Sequence, residues 1–224
     1  MSEKYDVTKY ERPSVTVDVL LFTILEGGLN ILLIKRNEEP FKDSWALPGG
    51  FVKMAESLDE AAARELFEES GVNKQYLEQL YTFGKPDRDP RTRVITVAYM
   101  ALTTQDSWTL KPDGDASEAS FFPIDKLPKL AFDHQEIVDY GLRRLRAKLG
   151  YTNIVLGLVP NSFTLTELQN VYEAILKTKL DKRNFRKKIL STGLILASGK
   201  KVAGIAHRPA MLYSFKNKRV VLTD

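Results

Sequence analysis

The chain has 224 residues, 43% of them apolar and 28% charged, the mix of an ordinary globular protein of one or two domains. No run approaches the roughly 20 apolar residues that cross a bilayer. The polar start Met1-Ser2-Glu3-Lys4 lacks a signal peptide's apolar core, so a cytoplasmic location without a membrane partner is expected. Having no cysteine excludes disulfides, thiolate zinc sites and thiol catalysis.

The net charge of +4 hides a split. Residues 151–224 carry 13 Lys and Arg against 4 Asp and Glu, which makes that third +9 and leaves residues 1–150 at −5. Such a reversal predicts two units with different partners, a small-ligand domain over 1–150 and a polyanion-binding unit over 151–224.

In chain order, Ser14–Ile24 and Asn30–Lys35 read as β-rich runs joined by a hairpin over Glu26-Gly27-Gly28. Ser44–Leu47, Leu77–Phe83, Val94–Leu102 and Ala119–Pro123 follow as shorter strands. Two helices interrupt them, over about Leu58–Ser70 and His134–Leu149, the second with Asp133 as its N-cap. Mixed strands with flanking helices predict an α/β class fold, an α/β/α sandwich around a mixed sheet, and not a doubly wound parallel sheet. Beyond Gly150, Leu165, Leu168, Val171, Tyr172 and Ile175 keep helical spacing, and Thr164 with Glu167 makes a capping box. A link at Lys177–Leu180 leads to a basic helix, Asp181–Leu190. Strands Leu194–Ala197 and Val202–Ala206 then flank a tip at Ser198-Gly199-Lys200-Lys201. That order predicts a C-terminal winged helix-turn-helix.

Gly50, Glu56 and the run Arg64-Glu65-Leu66-Phe67-Glu68-Glu69-Ser70-Gly71-Val72 stand at fixed spacing around the first helix. Ser57 can cap that helix with Glu60 returning the bond, and Gly71 suits a left-handed C-terminal residue. Glu65, Glu68 and Glu69, at i, i+3 and i+4, share one face. Three crowded carboxylates repel one another unless a cation sits among them, and oxygen-only donors suit Mg²⁺ or Mn²⁺. The alternative is a solvated acidic face. Arg64 can pair with Glu60 or Glu68, and Glu56 lies where it can steady the helix. The segment 50–72 resembles the Nudix box, and residues ~10–150 resemble a Nudix domain. The resemblance implies Glu65, Glu68 and Glu69 as metal ligands, catalytic if the site is active, with Gly50, Glu56, Arg64 and Gly71 architectural.

Around the box, Arg36, Lys42, Lys53, Arg91 and Arg93 are candidate cations for a phosphorylated effector, with Arg88 beside them, and Trp45 and Phe51 are candidate stacking surfaces, as is Tyr99. Core aromatics and solvated loop cations are the competing readings. His134 reads as structural in preference to a catalytic base.

On the basic helix, Phe185, Ile189 and Leu190 supply an apolar stripe, leaving Lys182, Arg183, Asn184, Arg186, Lys187 and Lys188 to face a DNA major groove. Lys200 and Lys201 are placed for phosphates. The segments Lys182–Lys188 and Arg208–Tyr213 resemble the recognition helix and post-wing strand of the NrtR family of Nudix-related transcriptional regulators. By overall resemblance the chain is similar to that family's arabinose-responsive AraR branch of Bacteroidetes. The resemblance implies a homodimeric repressor of double-stranded DNA, with a Nudix-fold sensor of ADP-ribose or L-arabinose and no cofactor required for DNA binding. The alternative, supported by the intact box, is a Nudix pyrophosphatase acting on ADP-ribose or a related nucleoside diphosphate derivative.

Overall fold

Alternation along β1 (Ser14–Leu25) creates two apolar faces: Val17, Val19 and Leu21 join one buried cluster, Leu20 and Phe22 another. A strand buried on both sides requires cover on both. The first face is covered by α1 (Leu58–Ser70), through Ala61, Ala62 and Leu66. The second is covered by α2 (His134–Lys148), through Ile137, Val138 and Leu145. The computed structural model describes residues 6, 9–72, 76–105, 108, 110, 111, 116–201 and 209–222.

Between these helices lies a seven-stranded sheet containing β1, β2 (Gly28–Arg36), β3 (Trp45–Ala46), β4 (Gly49–Phe51), β5 (Tyr76–Phe83), β6 (Val94–Leu102) and β7 (Ala116–Pro123). β1 and β6 run parallel from Ser14↔Val94 to Phe22↔Leu102, and the other pairings are antiparallel. This is the expected mixed sheet. β4 was not expected, because three residues carry no periodicity.

The sheet forks. β1 and β2 pair only near their turn, Phe22–Leu25 with Gly28–Ile31. Farther on, β1 pairs with β4 at Thr16–Asp18, whereas β2 pairs with β3 at Ile34 and Lys35. The chain crosses the fork at Leu47-Pro48, where Val19 N–H donates to Pro48 O (2.8 Å) and the Leu47 N–H donates to His134 Nδ1 (2.9 Å). Separated strands expose backbone and side-chain groups that a continuous sheet would cover.

After a short 3-10 helix at Ile154–Gly157 come β8 (Phe163–Thr164), α3 (Leu165–Leu176), α4 (Lys182–Ser191), β9 (Ile195–Lys201) and β10 (Met211–Phe215). The capping box forms as predicted: Glu167 N–H donates to Thr164 Oγ1 (3.1 Å) and Thr164 N–H to Glu167 Oε2 (2.7 Å). Asp181 caps α4 by accepting from Asn184 N–H (2.8 Å). Helix, turn, helix and a three-stranded sheet, β8-β10-β9, give the predicted winged helix. The wing is shifted from its expected register. β9 continues through Ser198–Lys201 instead of ending at a tip there, with a register shift against β10 around Gly199 (φ 72°). The Gly199-Lys200 pair signals a turn locally, but ladder pairing with β10 decides the strand. Residues 202–208 lie outside the described residues, as do the side chains of Lys200 and Lys201.

The core does not break near residue 150. Leu168, Val171 and Ile175 of α3 and Phe185 and Ile189 of α4 belong to the same buried cluster as Leu20, Phe22 and Leu145. Among the described residues, no helix is long and apolar enough to cross a membrane.

Candidate functional site

A cavity of about 420 Å³ fills the fork, bounded by Thr16 and Asp18 of β1, Ile34 and Arg36 of β2, the Leu47–Lys53 crossing, α1 and the start of α2. α1 is set in place by its caps. Ser57 N–H donates to Glu60 Oε2 (2.8 Å) and Glu60 N–H to Ser57 Oγ (3.3 Å), while Gly71, at φ 77°, donates to Phe67 O (2.7 Å). A capping side chain of this kind stabilises a helix by about 1 kcal/mol. Gly50 lies so close to the Glu65 carboxylate that an added Cβ would collide with it, which explains the glycine at this end of the box.

Glu65, Glu68 and Glu69 all line the cavity. Glu65 and Glu69 are buried, and Glu68 is exposed at 47% of its side chain. Arg64 holds the set together: its guanidinium donates to Glu56 (2.6 and 2.9 Å), Glu65 (2.8 Å) and Glu68 (3.0 Å). Pairing with Glu60 does not occur, because Glu60 is engaged with Ser57. Hydrogen bonding from Arg64, then from the Lys53 amide, holds the Glu56 carboxyl down at about 2. The same contacts raise Arg64 above its ordinary value. Burial pushes Glu65 up, against the pull of Arg64. Glu69 Oε2 accepts the Gly49 N–H (2.7 Å). The donors are hard oxygens suited to Mg²⁺ or Mn²⁺, although no three acidic or histidine side chains among the described residues converge as a ready-made metal cage.

The floor is a polar network that the sequence did not reveal. Asp18 Oδ2 accepts from Thr96 Oγ1 (2.7 Å) and lies 3.4 Å from Arg88 Nη2, and Arg88 donates to both oxygens of Asp133 (2.9 and 2.7 Å). Asp133 therefore does not cap α2, since its carboxylate is taken by Arg88. His134 is buried; its Nδ1 accepts from Leu47 N–H and its Nε2 faces Asp18 Oδ1 at 3.4 Å. Burial lowers its pKa, Asp18 opposing, so a neutral imidazole with the proton on Nε2 fits both contacts. A histidine engaged at both nitrogens is structural.

Of the predicted effector residues, Arg36, Phe51, Lys53 and Arg91 line the cavity, and Lys42, Trp45 and Arg93 do not. Trp45 is partly buried against the core, edge-on to Phe122 at 4.6 Å, and Arg93 donates to Lys85 O (3.1 Å). Lys42 stays on an exposed loop. Tyr99 is buried and donates to Asp59 (2.6 Å). For Trp45 and Tyr99 burial outcompetes ligand stacking, whereas Phe51 stays exposed on the cavity wall. Phe132, which sequence reasoning missed, is on the wall. Arg36 and Arg91 stack over its ring at 5.0 and 5.8 Å, and Arg91 also reaches Phe51 at 5.2 Å. Arg91 is anchored by Asp89 (2.8 and 3.0 Å), and Arg36 donates to Pro40 O (2.9 Å) and Glu38 O (3.2 Å). Lys53 is the cavity cation whose side chain makes no hydrogen bond or ion pair among the described residues, though its charge acts on Glu56 and Glu65.

On α4, Phe185 and Ile189 face inward, while Lys182, Arg183, Asn184, Lys187 and Lys188 are exposed. Arg186 departs from the expectation: it is half-buried, with Nε out of solvent contact, because at i+1 from Phe185 it lies beside the packed stripe. Leu190, expected to pack, is 48% exposed. None of the exposed cations of α4 makes an ion pair among the described residues.

Residues 14–141 match the family model for the NUDIX domain, and residues 155–215 match that for the NrtR DNA-binding winged helix domain. An "ADPR responsive transcriptional repressor NtrR" of Acinetobacter baylyi is 38% identical over 217 residues, 95% of this chain and 86% of that protein. An ADP-ribose pyrophosphatase of Methanocaldococcus jannaschii is 44% identical over 142 residues, 62% of this chain and 80% of that one. The crystal structure of Shewanella oneidensis NrtR complexed with a 27mer DNA superposes with a TM-score of 0.79 at 34% identity, covering 90% of this chain and 93% of that one.

Proposed function

Because this chain belongs to the Nudix family and joins its Nudix domain to an NrtR-type winged helix, we propose that it is a transcriptional repressor with an ADP-ribose sensor over residues 1–150 and an operator-binding domain over 151–224. The observation that carries this reading is the contrast between α4, whose exposed cations are unpaired, and a cavity whose arginines are already engaged. Unpaired cations on an outward helix suit a phosphate backbone and base edges. Arg183 and Asn184 are assigned to base contacts, and Lys182, Lys187 and Lys188, with Lys200 and Lys201, to phosphates; Arg186 supports the helix from behind.

Effector chemistry follows from charge. Six carboxylates and five cations line the cavity, so a diphosphate enters an environment that is already slightly negative. Glu65, Glu68 and Glu69 would be the residues to hold a divalent cation, which would supply positive charge against the diphosphate. Lys53 supplies the free cation, and Phe51, Phe132 and Arg91 supply flat surfaces. ADP-ribose, the molecule named for two of the relatives above, fits that set. L-arabinose brings no phosphate for Lys53 or for a bound divalent cation; the assignment to the arabinose-responsive branch rests on overall resemblance alone. A homodimer acting in the cytoplasm on a palindromic operator is the matching assembly.

The test is a thermal-shift titration of the full chain with ADP-ribose, with and without Mg²⁺, and with L-arabinose, beside DNA binding to fragments upstream of its own gene. At 100 times Kd, a ligand stabilises by about 2.7 kcal/mol. A Mg²⁺-dependent shift with ADP-ribose and none with L-arabinose is expected. The reverse result, or DNA affinity equal to that for random sequence, sinks the reading.

The second reading, a working pyrophosphatase, is favoured by one observation: all three box carboxylates reach the cavity. Hydrolysis of ADP-ribose with Mg²⁺ that disappears in Glu68→Gln would establish it. No turnover leaves the domain a sensor.

A further inference from the structure

One helix touches both ends of the proposed mechanism. At the head of α2, Phe132 lies on the cavity wall in a left-handed conformation (φ 50°), which a bulky side chain rarely adopts. Strained backbone of this kind clusters at ligand clamps and switches. The next two residues are held by the cavity floor, Asp133 by Arg88 and His134 by the Leu47 amide. A ligand that displaces Arg91 from Phe132 or shifts the floor therefore acts on the first turn of α2.

At the foot of the same helix, Arg146 Nε donates to Ile175 O at 2.9 Å. Ile175 is in the last turn of α3, just before the link that aims α4. The 15 residues of α2 make a rod about 22 Å long. A second polar link reaches the same turn, Lys177 Nζ to Asp125 at 3.1 Å, but both side chains are exposed and Asp125 does not line the effector cavity. The junction of α2, α3 and α4 is not packed solid. A largely apolar cavity of about 490 Å³ lies there, bordered by Arg146, Tyr172, Phe185 and Ile189. α4 can shift against α2 without forcing close-packed side chains through one another.

We propose that Arg146 is a positioning residue for DNA binding, transmitting occupancy of the effector cavity to the orientation of α4 through its bond to Ile175 O. The assignment rests on the effector reading given above. Coupling through a rigid element with two settings at its end is the physical form such transmission takes.

The experiment measures DNA affinity of the full chain by fluorescence anisotropy with and without saturating ADP-ribose and Mg²⁺, and ADP-ribose affinity by thermal shift. Arg146→Met keeps the apolar stem and removes the donor; Arg146→Lys restores a donor; Lys177→Ala removes the other link. In wild type, ADP-ribose is expected to change DNA affinity roughly 10-fold or more, within the usual range of allosteric coupling. Arg146→Met is expected to bind each ligand within about threefold of wild type while the linked change falls below about twofold. Arg146→Lys recovers the linkage, and Lys177→Ala retains it. A linked wild type with an equally linked Arg146→Met overturns this assignment alone, as does loss of linkage in Lys177→Ala. A wild type whose DNA affinity ignores both ADP-ribose and L-arabinose removes the effector reading and this assignment with it.

Discussion

The cavity and α4 use the same side chains in opposite ways. In the cavity, Arg64, Arg88 and Arg91 are each tied to carboxylates, Arg88 to ones on two other elements, so their charge is spent on holding a shape. On α4, Lys182, Arg183, Lys187 and Lys188 project outward with Phe185 and Ile189 as the only buried apolar anchors of that helix. Paired charges fix geometry, and their loss is felt as stability. Unpaired charges leave folding nearly indifferent, and their loss is felt as binding. The two regions are therefore separable by measuring both quantities on the same variants.

The largest effect is expected at the cavity floor. Arg88, with 4% of its side chain exposed, faces Asp18 and Asp133. Arg88→Met leaves two largely buried carboxylates uncompensated, at a cost of about 3–5 kcal/mol in urea unfolding. A variant with wild-type stability would break the comparison, because the floor would then not depend on its pairing.

Next is Arg183→Ala on α4. Its side chain is exposed and unpaired, so stability should move by less than about 0.5 kcal/mol. Operator affinity should fall by about 1–3 kcal/mol, most at a single base position. Lys187→Ala should weaken all sequences alike and flatten the salt dependence. Loss of stability without loss of DNA affinity would assign Arg183 to the fold.

Legibility followed the same division. Elements with sustained periodicity were readable: β6 and α1 fall on their predicted residues, and both capping boxes form. The Nudix box could be read because its spacing is local, so Glu65, Glu68 and Glu69 reach the cavity together. The floor could not be read. Asp18, Arg88 and His134 are 70 and 46 residues apart in the chain, and only the pairing of β1 with β6 and the seating of α2 bring them together. Trp45 and Tyr99 failed as ligand surfaces because an aromatic ring's local sequence does not say which side of a sheet it will face. The wing slipped because Gly199, at φ 72°, makes an irregularity within β9 and not a hairpin tip.

The smallest effect is a pH dependence centred on the cavity floor. His134 is buried and its pKa lies below the ordinary 6.5, burial being the main cause. As pH falls through 6.5 the unfolded chain takes up a proton that the folded chain refuses, so stability drops. Glu65, raised from 4.5 by burial, runs the other way above 4.5, because the folded chain protonates first there. Glu56 and Glu173, both held at about 2 by hydrogen bonds, keep their contribution until pH falls below 4.5 and lose it on the way to 2. Over the window from 7 to 5, the difference between wild type and His134→Gln separates the imidazole from Glu65. Wild type should lose thermal midpoint across it, and His134→Gln, which keeps an acceptor for the Leu47 amide, should not. The cations of α4 are lysine and arginine, whose charge is constant in that range. Operator affinity should therefore be flat where the midpoint slopes. If affinity tracks the midpoint instead, protonation at the head of α2 is reaching α4, and the two regions are coupled even without effector.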